Sequence, residues 1–344
     1  MWCRFAANSG LDPLVRGPQG DSHAHALGRE NLFLAFAEAL RDGLHHDGRR
    51  LASSSISRIL QQVADIMVKH GSRDPRRVHP GQHLLNRSFQ RLCQVFSDED
   101  PAPQHEHALP NSTALWISQN MRVGPAGTAT ALLIVVAHFF LLRAGEHTPS
   151  TNKGRRQRTV PLRKMDVQSL RNGRPMNKEA PLAELLTATG STMCLENQKN
   201  GVKNQTLCHD TSGNPDLCPT IALAVLLDSM RGMDESTPLG TCHAGGTTRR
   251  VTAAGVRAMI RLGAVRDGLT DEGHDLARIG THSLRSGGAV RLKLAGADDG
   301  LIQKLGRWSG PTHKKCIQPH IGPLAGGVAA RMAVLLRHWN VQVR

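Results

Sequence analysis

The longest apolar run of the chain, Ala131 to Leu142, is broken only by His138 and ends on Arg143. A helix made from such a run is apolar all round, so other elements have to enclose it on every side. It also falls far short of the roughly 20 residues that span a bilayer. The run therefore predicts a buried core helix with a globular domain wrapped around it, and no membrane partner.

The flanking sequence predicts what does the wrapping. Upstream, Leu32, Phe33, Phe36, Ala37 and Leu40 recur at helical spacing from near Glu30, although the first thirty residues show no clear periodicity. Ser53 to Ser55 offer an N-cap to a second helix whose stripe is Ile56, Ile59, Leu60, Val63, Ile66 and Met67, with Gly71 placed to end it. Leu84, Leu85, Phe89, Leu92, Cys93 and Phe96 make a third. The acidic, proline-containing stretch from Ser97 to Pro110 then breaks the pattern. It sets a domain boundary that leaves a helical domain over 1–108 and a second domain over 109–344, and a chain of 344 residues is long enough for two.

In the second domain a short helix around Leu115 to Asn120 precedes the apolar run. Lys153 to Arg174 is basic and punctuated by glycine and proline, which predicts a loop with one strand through Val160 to Val167. Ser191 to Gln198 and Val202 to Cys208 flank Asn200-Gly201, a dipeptide favoured in type I′ hairpin turns, and Lys199 sits beside the tip. Further helices open at Pro219, at Thr252, at Thr281 or Ser283, and at Asp298, the last closing at Gly306. The fold class is mostly α (α+β), with a small antiparallel sheet.

Lys and Arg number 43 against 28 Asp and Glu, a formal charge of +15 that favours a polyanionic partner through counterion release. Nucleic acid comes first, but ribosomal and membrane-surface proteins share this balance, so motifs have to decide. The seven cysteines are odd in number and have no CxxC pair, and no apolar secretory leader is present. That pattern fits reduced thiols in a cell interior.

Four features carry chemistry: Arg143-Ala-Gly-Glu146, Gln198-Lys199-Asn200, Thr281-His282-Ser283-Leu284-Arg285 and Leu305-Gly306-Arg307-Trp308. Each alone is weak. In this order they resemble the tyrosine recombinase (phage integrase) family, whose catalytic domain runs Arg, Lys, His-x-x-Arg, His or Trp, then Tyr. The resemblance covers Asn111 to the C-terminus and is sharpest from Gly280 to Trp308, where Gly287 and Gly288 match a glycine-rich helix start. The N-terminal helices are similar to the family's core-binding domain.

The resemblance implies a mobile-element-derived, integrase-like protein of DNA recombination and integration. It implies double-stranded DNA as partner, assembly as a homo-oligomer on paired sites, and no cofactor. Attack on a phosphodiester builds negative charge on the non-bridging oxygens, and guanidinium forks bind such oxygens bidentately, the role implied for Arg143 and Arg285. Glu146, one turn past Arg143, would orient it. Lys199 is the implied general acid, with Lys203 as fallback. His282 is implied as proton shuttle or phosphate contact, and Trp308 as the wall of the site. Arg155, Arg156, Arg158, Arg163, Lys203 and Arg307 are the expected contacts along DNA. In a nucleated host, the run Lys153 to Arg158 also reads as a nuclear-import signal.

One departure changes the chemistry. The chain contains no tyrosine, and Cys316 stands where the family's nucleophile is expected. A thiol reaches several ångströms less far than a phenol, and misplacement of about 1 Å costs ~100-fold, so cleavage is expected to be impaired. Gly310-Pro311 also interrupts the approach to that position. The competing readings are a non-catalytic DNA-binding protein on the same fold, a zinc-stabilised basic module drawing on Cys208, His209, Cys218, Cys242 and His243, and a cysteine hydrolase pairing Cys316 with His313 or His320.

Overall fold

In a computed structural model of the chain, the described residues are 1–10, 12–13, 23–43, 48, 50–77, 86–101, 106–149, 159–198 and 201–317, with backbone alone described at 23–27, 315 and 316. They form two compact units, Met1–Pro103 and Gln104–Arg344.

Among the described residues, the elements of the first unit are the helices α1 (Trp2–Asn8), α2 (His23–Arg41), α3 (Ser53–Lys69) and α4 (Arg87–Glu99). The apolar stripes read from the sequence meet in one core of Phe33, Phe36, Leu40, Ile56, Leu60, Met67, Phe89 and Phe96. Trp2 joins them from α1, its ring 5.0 Å from Phe33 and 5.1 Å from Phe36. The sequence predicts neither α1 nor so early a start for α2, because α1 is short and carries its burial on two side chains, Trp2 and Ala6. The expected serine N-cap of α3 is replaced. Ala52 occupies the cap position, and Asp100, from beyond α4, accepts from the Ser53 backbone N–H at 2.8 Å. Hydrogen bonds from Ser53 and then Arg41 pull the Asp100 carboxyl down to about 2. Arg41, itself buried, also lies 5.2 Å over the Phe96 ring.

The second unit opens with α5 (Asn111–Asn120) and α6 (Gly124–Phe139), followed by the single turn α7 (Ala144–His147). Ala129 to His138 are buried without a break, so the apolar run is the central helix the sequence predicts. It ends earlier than expected. Phe140 leaves the helix, and Leu141 takes a left-handed conformation at φ 50°. Residues 106–108, assigned on sequence to the first domain, belong with the second unit: His107 N–H bonds to Arg278 O at 2.8 Å, as the neighbouring Leu109 N–H does to Ser283 O at 2.9 Å.

The strand expected within Val160 to Val167 instead begins where that stretch ends. It is β1 (Val167–Arg171), paired with β2 (Arg174–Pro175). After the short α8 (Leu182–Leu185), the predicted hairpin appears as β3 (Gly190–Asn197) and β4 (Lys203–Asp210), completing an antiparallel sheet of order β2-β1-β3-β4. Gly201 has φ +84°, as the turn chemistry demands, while Lys199 and Asn200 lie outside the described residues. α9 (Pro219–Ser229) packs on α6 and the sheet. A second, two-stranded hairpin, β5 (Thr241–Ala244) and β6 (Thr247–Arg250), was not anticipated, although Gly245-Gly246 between its strands is a turn signal.

The described residues end with α10 (Ala253–Arg266), α11 (His282–Leu294), α12 (Asp299–Gly306) and α13 (His313–Ile317). Thr252 caps α10 through Gly255 N–H at 3.1 Å, and Asp298 caps α12 through Leu301 N–H at 2.8 Å. α11 lies so close to its neighbours that a Cβ on Gly288 would overlap the His138 carbonyl oxygen, and one on Gly287 would overlap that of Leu109. The glycine pair is thus a packing device: Gly288 seats α11 on α6, and Gly287 seats it on the backbone at Leu109. Helices dominate and the sheet is small and antiparallel, the class read from the sequence. Among the described residues no helix is long and apolar enough to cross a membrane.

Candidate functional site

The early end of α6 creates the site. Because Phe140 and Leu141 leave the helix, their carbonyl groups accept hydrogen bonds from elsewhere, and two arginines distant in sequence reach them. Arg285, on α11, donates from NH1 to Leu141 O at 2.7 Å. Arg307, just past α12, donates to Phe140 O at 2.9 Å and to Leu141 O at 3.0 Å. Arg143 follows in the same turn and caps α7, its backbone N–H bound to Glu146 Oε2 at 2.8 Å.

Glu146 ties the cluster together. It is fully buried, and its Oε1 accepts from Arg143 NH1 at 2.9 Å, the i,i+3 contact expected from spacing. Its Oε2 also accepts from Arg307 NH2 at 2.6 Å, a pair with both side chains 0% exposed. Arg143 NH2 lies 3.4 Å from Arg307 O. Three guanidiniums and one carboxylate thus meet around one turn, leaving two positive charges in excess. The Arg143 side chain, 22% exposed, is the edge that reaches solvent. Burial pulls the Arg307 pKa down, against the pull of Glu146. His147, beside Glu146, donates from Nδ1 to Arg143 O at 2.9 Å, and burial lowers its pKa to about 4, so it adds no charge near neutral pH.

Trp308 lies over the outer side of Arg285, 4.3 Å from guanidinium carbon to ring centroid. It can do so because the residue two positions earlier is Gly306, where a Cβ would overlap the indole ring. Beyond it a cleft of about 440 Å³ opens between the hairpin residues Val202 and Gln205 and the α12 residues Gln303 and Lys304, with Arg307 and Trp308 also lining it. Gln205, Gln303 and Lys304 are not singled out by the sequence, since no motif marks them.

The structure therefore brings Arg143, Arg285 and Trp308 together around the Leu141 turn, with Glu146 anchoring Arg143 and Arg307. It corrects the expected role of Arg307. That guanidinium is buried among backbone carbonyls and Glu146, so it does not face a duplex. Arg285 is 1% exposed, with NH1 and NH2 donating to Leu141 and Gly306 carbonyls rather than presenting an open fork. His282 stands exposed at the first turn of α11, and Lys203 exposed at the start of β4. Arg163 is held by Asp166 at 2.9 Å and also by Glu196, and these carboxylates raise its pKa further, so it too is less available to phosphate than expected. Arg155, Arg156 and Arg158 lie outside the described residues, as does Lys199. Cys316 is on α13, with only its backbone described. The cysteines weighed for zinc are dispersed over β4, the start of α9 and β5, and no group of three or more candidate metal ligands occurs among the described residues.

No protein-family model matches the sequence, and neither does any curated protein. Among solved structures, the chain is similar to the integrase of transposon Tn1549 in complex with transposon right-end DNA, at 12% identity and a TM-score of 0.48, over 94% of this chain and 99% of that one. It is also similar to the XerH site-specific recombinase bound to its difH substrate, at 12% identity and a TM-score of 0.41, over 88% and 94% of the two chains. XerA recombinase aligns at 14% identity with a TM-score of 0.37, over 92% and 91%. Likenesses this distant carry no argument of their own, and the functional reading rests on the site.

Proposed function

We propose that the chain is a DNA-binding protein built on the tyrosine recombinase plan, mobile-element-derived, whose basic pocket still engages a DNA phosphate but no longer supports cleavage. The observation that carries the reading is the cluster of Arg143, Arg285 and Arg307 around the Leu141 turn, with Glu146 as its carboxylate. An excess of two cations held in a largely dry pocket is costly unless an anion completes it, and Arg143 is the member placed to meet one. A phosphodiester supplies a matching charge and geometry. The helical first unit fits a second grip on the duplex.

Loss of cleavage follows from the composition. No tyrosine exists to form a phosphotyrosyl link, and a cysteine at position 316 on a short helix reaches less far toward a phosphate. The test is an adduct assay on nicked duplexes with wild type, Cys316→Tyr and Arg285→Ala proteins. Wild type is expected to shift the duplex in a native gel and to leave no band that survives denaturation. A wild-type adduct that Arg285→Ala abolishes would show a working nucleophile and overturn the non-catalytic reading. Failure of wild type to bind any duplex at low salt would overturn the DNA-binding reading.

A further inference from the structure

Arg307 is an odd choice for its place in the fold. It is the C-cap of α12 in the left-handed conformation, φ 58° and ψ 42°, a position where glycine or asparagine is favoured and other L residues carry a cost of about 1 kcal/mol. Its side chain is 0% exposed. A strained backbone combined with a buried charge points to a use for that side chain.

The use lies in the charge of Glu146. This carboxylate is fully buried and sits three residues from Arg143, so as a simple pair the two would cancel. Arg143 would then present a neutral ion pair to an incoming anion. Arg307 prevents this by taking Glu146 Oε2 at 2.6 Å, while Arg143 NH1 takes Oε1. Its other contacts, to Phe140 and Leu141 carbonyls, fix the guanidinium from behind.

Resting on the reading of this site as a phosphate pocket, we infer that Arg307 is a positioning residue: it neutralises Glu146 from the buried side and so leaves the charge of Arg143 for the ligand. Glu146 can then orient Arg143 without quenching it.

The probe is a fluorescein-labelled duplex of mixed sequence, titrated by anisotropy across a range of salt concentrations, with the fold of each variant checked by circular dichroism melts. Each phosphate contact contributes about 0.9 to the slope of log K against log salt. Arg143→Ala is expected to make the slope shallower by about that amount. Arg307→Met should do the same although Arg143 is intact, and Arg307→Gln, which can keep a hydrogen bond to Glu146, provides the same loss of charge if the methionine variant does not fold. The decisive variant is Glu146→Gln with Arg307→Met, which removes both members of the buried pair and is expected to restore the wild-type slope. A folded Arg307 variant with the wild-type slope, or a double variant as shallow as Arg307→Met, would overturn the inference while the phosphate reading stands. An unchanged slope in Arg143→Ala would instead sink the phosphate reading itself.

Discussion

Glu146 carries more of the site than any arginine, because one buried carboxylate bridges two guanidiniums. Replacing it alone by Gln removes the carboxylate that the buried Arg307 is paired with, and breaking a buried pair in this way costs about 3–5 kcal/mol. Urea unfolding of Glu146→Gln should show a loss of that size, and a midpoint within error of wild type would contradict the account. Two neutral histidines flank the same turn. Burial holds both His138, at the end of α6, and His147, in α7, at about 4, well below their ordinary 6.5. The unfolded chain takes up these protons first, so the stability they contribute is complete above pH ~6.5 and is lost as pH falls toward 4, by up to about 1.4 kcal/mol per pH unit for each histidine. Denaturant midpoints should drop between pH 7 and pH 5, and His147→Gln should flatten the drop. A wild-type midpoint unchanged over that range would contradict the buried-neutral assignment.

Between elements, the decisive contact is α11 against α6. Arg285 reaches the Leu141 carbonyl because Gly288 lets the two backbones approach. A methyl group on Gly288 would have to displace the His138 carbonyl and the Leu141 side chain, so Gly288→Ala is expected to destabilise by about 3 kcal/mol and to weaken duplex binding with it. A glycine variant that melts like wild type would mean that the helix has room to shift. The same elements show where sequence periodicity works and where it stops. Stripes in α3 and α4, and the strands around Asn200-Gly201, were legible because their burial repeats at a fixed period. The β5–β6 hairpin and α1 were not, since β6 is exposed throughout and α1 is a single short helix.

On the scale of the whole molecule, the formal charge of +15 makes any duplex binding strongly dependent on salt. Raising salt from 50 to 200 mM is expected to weaken binding by orders of magnitude, roughly 10³–10⁵-fold if six to ten phosphates are contacted. Anisotropy titrations at the two salts test this, and an affinity insensitive to salt would point to a partner other than nucleic acid. The charge is also distributed in a way that composition does not reveal. Arg163, Arg285 and Arg307 are engaged with carboxylates or carbonyl groups inside the protein. A basic count therefore overstates the cations available to a ligand.

By itself the sequence determined the helical class, the enclosed central helix, the hairpin, the pairing of Arg143 with Glu146 and the absence of tyrosine. These are local or compositional properties, readable from period, turn chemistry or a residue count. Only the tertiary structure decided what each arginine does. Arg307 and Glu146 are 161 residues apart, and Arg285 and Leu141 are 144 apart. Whether such a guanidinium faces a ligand or a buried carboxylate depends on where α6 stops and how closely α11 can lie upon it, and neither is written in any one segment.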